Sequence, residues 1–146
     1  MASSDLTRVK RFFERGIYFL NEKKYPDANL NFKDALQIMP QFLPARTHLA
    51  VSLIQEHKYV EAIKLLEDGK KIVELRKDEL IEVNSLLGNI CLMRQDYRAA
   101  LYYFKAAYKI DPESAVLRHQ LASCQCKAGN YYDGLSLMLK NAQSMK

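Results

Sequence analysis

The sequence predicts an all-α fold, a solenoid of stacked helix–turn–helix repeats. Two observations carry this. Four segments can be laid on one another at a spacing of 34 residues with one four-residue slip: Tyr25-Pro-Asp-Ala28, Tyr59-Val-Glu-Ala62, Tyr97-Arg-Ala-Ala100 and Tyr131-Tyr-Asp-Gly134. Around each of them, apolar residues recur at three- and four-residue spacing, the period of an amphipathic helix. Self-similarity at such a period marks a stacked array, because one helix pair cannot bury its apolar face alone. The organisation expected is one domain over 1–146, with repeats at about 9–42, 43–76, 81–114 and 115–146.

Each repeat reads as two helices and a tight turn. In the first, Phe12, Gly16, Phe19 and Leu20 share one helix face, Asn21-Glu-Lys-Lys turns the chain, and Tyr25 to Ile38 forms the second helix. Pro26 falls near its start, where a missing N–H is harmless, and Pro40 lies just past its end. The second repeat carries Leu49, Ala50 and Leu53, then Tyr59, Ala62, Leu65, Leu66 and Gly69. No proline stops it, so its second helix is expected to reach about Lys77. The third carries Leu87, Gly88 and Cys91 and closes at Asp111-Pro112. The fourth carries Leu121, Ala122, Gly129, Tyr131 and Gly134, with its last helix expected from Tyr131 to about Met145.

The small residues Gly16, Ala50, Gly88 and Ala122 occupy one slot of the first helices, and Ala28, Ala62, Ala100 and Gly134 the matching slot of the second. They let paired helices approach closely. Phe32, Leu66, Phe104 and Met138 are expected to fill the space between neighbours, each contributing about 1.5–3 kcal/mol on burial.

Composition narrows the function. The 146 residues carry 22 Lys and Arg against 17 Asp and Glu, a net charge of +5, but the charges are interspersed rather than gathered in a basic patch. Nucleic acid is therefore not an expected partner. No run reaches the roughly 18 apolar residues of a membrane span. The N-terminal Met-Ala-Ser-Ser-Asp lacks a signal-peptide core, and Lys77-Asp78-Glu79-Leu80 is internal and not a retention signal. A cytoplasmic, intracellular protein is expected. Three cysteines, Cys91, Cys124 and Cys126, have no framework spacing and read as reduced thiols.

The repeats resemble the tetratricopeptide repeat, a 34-residue helix–turn–helix unit, over about Val9 to the C-terminus. The match is clearest in repeats one and three. The large aromatic expected early in each first helix is Phe12 in repeat one but Arg46, Asn84 and Arg118 in the others. The resemblance implies a right-handed superhelix whose first helices line a concave groove that takes a peptide or helix of another protein. On that geometry the partner-binding face comprises Phe13, Ile17, Leu20, Val51, Ile54, Leu86, Asn89, Leu92 and Met93. The family's clamp for acidic chaperone tails is not expected, since Phe13, Ile17, His48, Glu82 and Leu86 stand where its lysines, asparagines and arginine would be. The last helix carries Leu135 and Leu139, a second candidate interface for further repeats or self-association.

No phosphate loop, nucleophile elbow or metal-ligand cluster is present in the sequence, and His48, His57 and His119 fall in different repeats. No enzyme activity, cofactor or metal is expected. The expected function is a scaffold or adaptor module that binds an apolar or amphipathic segment within a multi-protein assembly. The alternatives are a dedicated chaperone for an aggregation-prone client, against which the basic pI of about 9.1 counts, and a repeat that binds RNA or a membrane surface through its charge.

Overall fold

The computed structural model describes residues 3–144, and these form eight α-helices with no strand among them. The chain divides into two compact units, Met1–Glu74 and Leu75–Lys146. The first holds α1 (Ser3–Asn21), α2 (Tyr25–Ile38), α3 (Leu43–Gln55) and α4 (Tyr59–Ile72). The second holds α5 (Lys77–Met93), α6 (Tyr97–Ile110), α7 (Ala115–Lys127) and α8 (Tyr131–Ser144).

Inside the first unit the small-residue slots explain the pairing. A Cβ on Gly16 would lie within 2.8 Å of three ring carbons of Phe32, so only glycine lets that ring lie against α1. Ala28, Phe32, Ala35, Ala45, Ala50, Ala62 and Leu66 are buried in this unit. Ser52 Oγ donates to the Tyr25 carbonyl (3.5 Å), tying α3 to the start of α2. Arg46, where the family carries an aromatic, is buried over Gly69 and donates to the carbonyls of Pro40 (2.8 Å) and Leu65 (3.1 Å).

The second unit repeats this plan 72 positions on. Phe104 lies against Gly88 as Phe32 does against Gly16, and Cys124 Sγ lies 3.8 Å from the Tyr97 carbonyl as Ser52 Oγ does from that of Tyr25. Arg118 takes the place of Arg46 and donates to the Glu113 carbonyl (3.1 Å). Asp96 and Ser114 cap α6 and α7 by accepting from the backbone N–H groups of Ala99 (3.2 Å) and Leu117 (3.3 Å). Met138, aligned with Phe32, Leu66 and Phe104, is only half-buried.

Every inter-helix turn within a pair contains one left-handed residue: Lys23 (φ 58°), His57 (φ 61°), Gln95 (φ 59°) and Gly129 (φ 91°). The turn geometry is thus common to all four pairs, although only the last uses the residue that adopts it without strain.

One boundary differs from the sequence expectation. α4 stops at Ile72 rather than near Lys77, Val73 and Arg76 are extended, and α5 begins at Lys77. Charges decide this. Lys70 and Lys71 sit in the last turn of α4, while Asp78 and Glu79 occupy the first turn of α5, each favourable to the helix dipole. Glu79 also accepts the Arg76 backbone N–H (3.0 Å), a start signal three residues upstream. The extra residues therefore form a break and lengthen α5 to 17 residues, against 13 in α3. Met145, the expected end of the last helix, lies outside the described residues.

Candidate functional site

In the first unit, Ile17 and Leu20 of α1 and Val51 of α3 are each half-buried. Leu20 and Val51 line a hollow of about 350 Å³ together with Asn21, Lys23, Tyr25 and Gln55. Its floor is aliphatic and its rim carries amides and one lysine. The Lys23 backbone that forms the rim is held by the left-handed turn, with its N–H on the Leu20 carbonyl (3.0 Å).

Phe13 and Ile54 are committed elsewhere. Phe13 meets Phe42 edge-on (5.4 Å between centroids), His48 edge-on (5.2 Å) and Phe32 at a tilt (6.0 Å). His48 is held there because its Nδ1 donates to the Pro44 carbonyl (2.7 Å). Ile54 is 8% exposed and part of the core. Phe42, in the link between α2 and α3, was not singled out in the sequence. Its signal was its place directly before Leu43-Pro44, but contacts across three helices are not visible from periodicity.

In the second unit, Leu86, Asn89 and Leu92 of α5 are half-buried and Met93 is 54% exposed. On α8, Leu135 and Leu139 are exposed, in line with Tyr131 and flanked by Tyr132. Leu139 stands where α2, α4 and α6 carry Lys33, Glu67 and Lys105. The two tyrosines widen the candidate interface beyond the two leucines, and the four-residue spacing of Tyr131, Leu135 and Leu139 was the available signal.

Electrostatics add two perturbed groups. Burial lowers the Arg46 guanidinium from its ordinary value, and nearby Asp68 partly restores it. Burial raises the Cys124 thiol, with Lys127 opposing and Cys91 reinforcing the shift. Neither is aimed at an open site. Among the described residues, no group of three or more His, Cys, Asp or Glu comes together that could hold a metal ion. No helix among them is long and apolar enough to cross a membrane.

Comparison with known proteins follows the same lines. A tetratricopeptide repeat family model matches residues 19–88 and 92–138. No curated protein matches the sequence significantly. Among solved structures, MamA (41 to the end) from Desulfovibrio magneticus RS-1 superposes with a TM-score of 0.76 at 17% identity, covering 92% of this chain and 74% of that one. MamA of AMB-1 gives 0.72 at 18% identity, over 92% and 72% of the two chains. YrrB, described as a TPR protein with an unusual peptide-binding site, gives 0.70 at 16% identity, over 90% and 66%. At these identities the likeness is one of fold, an all-α helical-repeat solenoid.

Proposed function

The chain belongs to the tetratricopeptide repeat family, and from that premise we propose that it is a protein-interaction module, a scaffold or adaptor that binds an apolar or amphipathic segment of a partner on its first helices. The observation that carries this is the hollow between α1 and α3. Leu20 and Val51 offer an aliphatic floor there, and Asn21 and Gln55 offer amide groups beside it. A peptide backbone needs hydrogen-bond partners as well as an apolar contact, and this hollow supplies both. Ile17, Leu86, Asn89, Leu92 and Met93 extend the proposal along the first helices of each unit. The peptide-binding site in the name of YrrB supports the reading by analogy of fold.

The test compares wild type with Val51→Glu and, separately, Leu86→Glu in affinity capture from native lysate, after confirming unchanged helicity and melting. A partner lost in Val51→Glu supports the α1–α3 hollow, and loss in Leu86→Glu supports a binding face on α5 within the second unit. Equal capture by all three proteins sinks the reading and moves attention to Leu135 and Leu139 on α8.

A further inference from the structure

Tyr131, Leu135 and Leu139 recur every four residues along α8 and are 65%, 57% and 65% exposed, with Tyr132 beside them at 84%. Together these four side chains expose roughly 500 Å² of mostly apolar surface, a patch of the size that often marks an interaction site. The face is uncharged. The two charged residues of α8, Asp133 and Lys140, both border a hollow toward α6 and α7 that none of the four touches.

The earlier helices show what this line of residues does in the fold. Tyr131, Leu135 and Leu139 align with Tyr25, Asn29 and Lys33 of α2 and with Tyr97, Leu101 and Lys105 of α6. On α2 the line meets the following helix pair. The Tyr25 carbonyl accepts from Ser52 of α3, Asn29 donates to Glu56 at the end of α3, and Lys33 pairs with Glu61 of α4 (3.7 Å). On α6, Tyr97 and Leu101 share a hollow with Ala128 and Asn130 of the α7–α8 turn. Leu135 and Leu139 therefore stand in the register by which one pair stacks on the next, but they offer apolar contact where α2 offers an amide and an ammonium group. The same register excludes one arrangement of two copies. Stacked head to tail, a second copy brings Glu22 and Asp27 to the places of Glu56 and Glu61, so that Leu135 covers Glu22 and Leu139 covers Asp27. Covering two exposed carboxylates with leucines strips their water and supplies no donor in exchange.

We propose that this face joins a second copy of the chain, α8 against α8, antiparallel about a twofold axis. A twofold contact must be complementary to itself, and an apolar, uncharged face is. With the axis between Leu135 and Leu139, each Leu135 meets Leu139 of the other copy. Tyr131 and Tyr132 then flank both ends of the contact, with their rings against apolar surface and their hydroxyls in water. The two faces together supply roughly 1,000 Å², the lower limit for a specific interface, so the dimer is a dissociable one, in about the micromolar range. The contact shares no residue with the first-helix face. Each dimer therefore presents that face twice, which on the reading above strengthens the hold on a repeated or dimeric partner.

The test is sedimentation velocity of the full chain over a wide concentration range, under reducing conditions so that no disulfide joins two copies. Wild type should pass from monomer to dimer and no further. Leu135→Glu and Leu139→Lys, both at exposed positions, should each weaken the dimer at least tenfold while the dilute monomer melts as wild type does. The decisive sample is an equimolar mixture of the two variants. An antiparallel pair sets the new carboxylate of one chain against the new ammonium group of the other and leaves one leucine pair intact, so the mixture should form a heterodimer that neither variant forms with itself. The proposal is overturned if wild type stays monomeric throughout, if it grows into an open-ended series, if either variant dimerises as wild type does, or if the mixture stays monomeric. It is equally overturned if Val51→Glu abolishes the dimer, which would place self-association on the first-helix face. A dimer that survives while lysate capture fails counts against the first-helix reading alone.

Discussion

The two units follow one plan 72 residues apart, and they spend it differently. In the first, an aromatic group of Phe13, Phe32, Phe42 and His48 locks three successive elements together. In the second, Phe104 fills the same slot against Gly88, but the positions matching Phe13, Phe42 and His48 are Ser85, Ser114 and Gln120. The first unit thus concentrates ring contacts around Phe13. The second trades several of them for polar groups, some buried without a partner, such as the amide oxygens of Asn84 and Gln125. Identical backbone topology therefore carries unequal packing, and stability and binding need not be shared evenly between the halves.

The most direct way to break this comparison is to remove the matching rings. Phe32→Ala and Phe104→Ala should each cost about 3–5 kcal/mol in urea unfolding, with Phe32→Ala at the upper end because its loss also loosens Phe13 and His48. Equal costs would show that the aromatic group adds nothing beyond burial.

Exchanging the matched residues Leu53 and Gln125 is the next largest test. Leu53→Gln should cost about 3 kcal/mol or more, since it removes a filling side chain and buries an amide. Gln125→Leu should move the other way by about 1 kcal/mol. If Leu53→Gln is tolerated, the first unit has room that the structure denies it.

The shared turns sharpen the comparison at smaller scale. Gly129→Ala should cost about 1 kcal/mol from backbone strain alone, because a Cβ there meets nothing within 4 Å. Lys23→Gly, His57→Gly and Gln95→Gly should each be neutral or stabilising by a few tenths of a kcal/mol, since relief of strain offsets the added freedom of the unfolded chain. Melting curves for the four variants would check both signs. A loss on Lys23→Gly would mean that the lysine side chain itself holds the turn.

How much of this was legible in the sequence differs by kind of information. The helix pairs were, because periodicity reports which face of a helix is buried, and Ala28, Ala62, Ala100 and Gly134 mark the close approaches. α2 runs from Tyr25 to Ile38 as read, since Pro26 and Pro40 bracket it. The end of α4 was not legible from apolar pattern, because the deciding features were charges: Lys70 and Lys71 at one terminus, Asp78 and Glu79 at the next. On the candidate face, helical register was enough to bring Leu20 and Val51 to one hollow. It could not reveal that the Phe13 ring packs against Phe42 and His48, because both arrive from beyond α2. Gln125 was hidden for a related reason. A polar residue in an amphipathic helix reads as surface until a 72-residue shift sets it on the buried Leu53.

The smallest expected effect tests the pair Ser52 and Cys124, which lie in the same place against Tyr25 and Tyr97. Ser52 does not titrate in the accessible range, whereas the Cys124 thiol is raised by burial. The folded state therefore holds that proton more tightly than the unfolded chain does. Stability from this group is complete below the ordinary thiol pKa, falls as pH rises through the interval up to the folded value, and levels off beyond it. Lys127 limits the shift by favouring the thiolate, so the loss is small. Cys124→Ser keeps a donor for the Tyr97 carbonyl and removes the titration. Urea unfolding at neutral and alkaline pH should show the wild type losing more stability than the variant as pH rises. The same decline in both would assign the alkaline sensitivity to groups other than Cys124, and would leave the two positions equivalent in charge as well as in place.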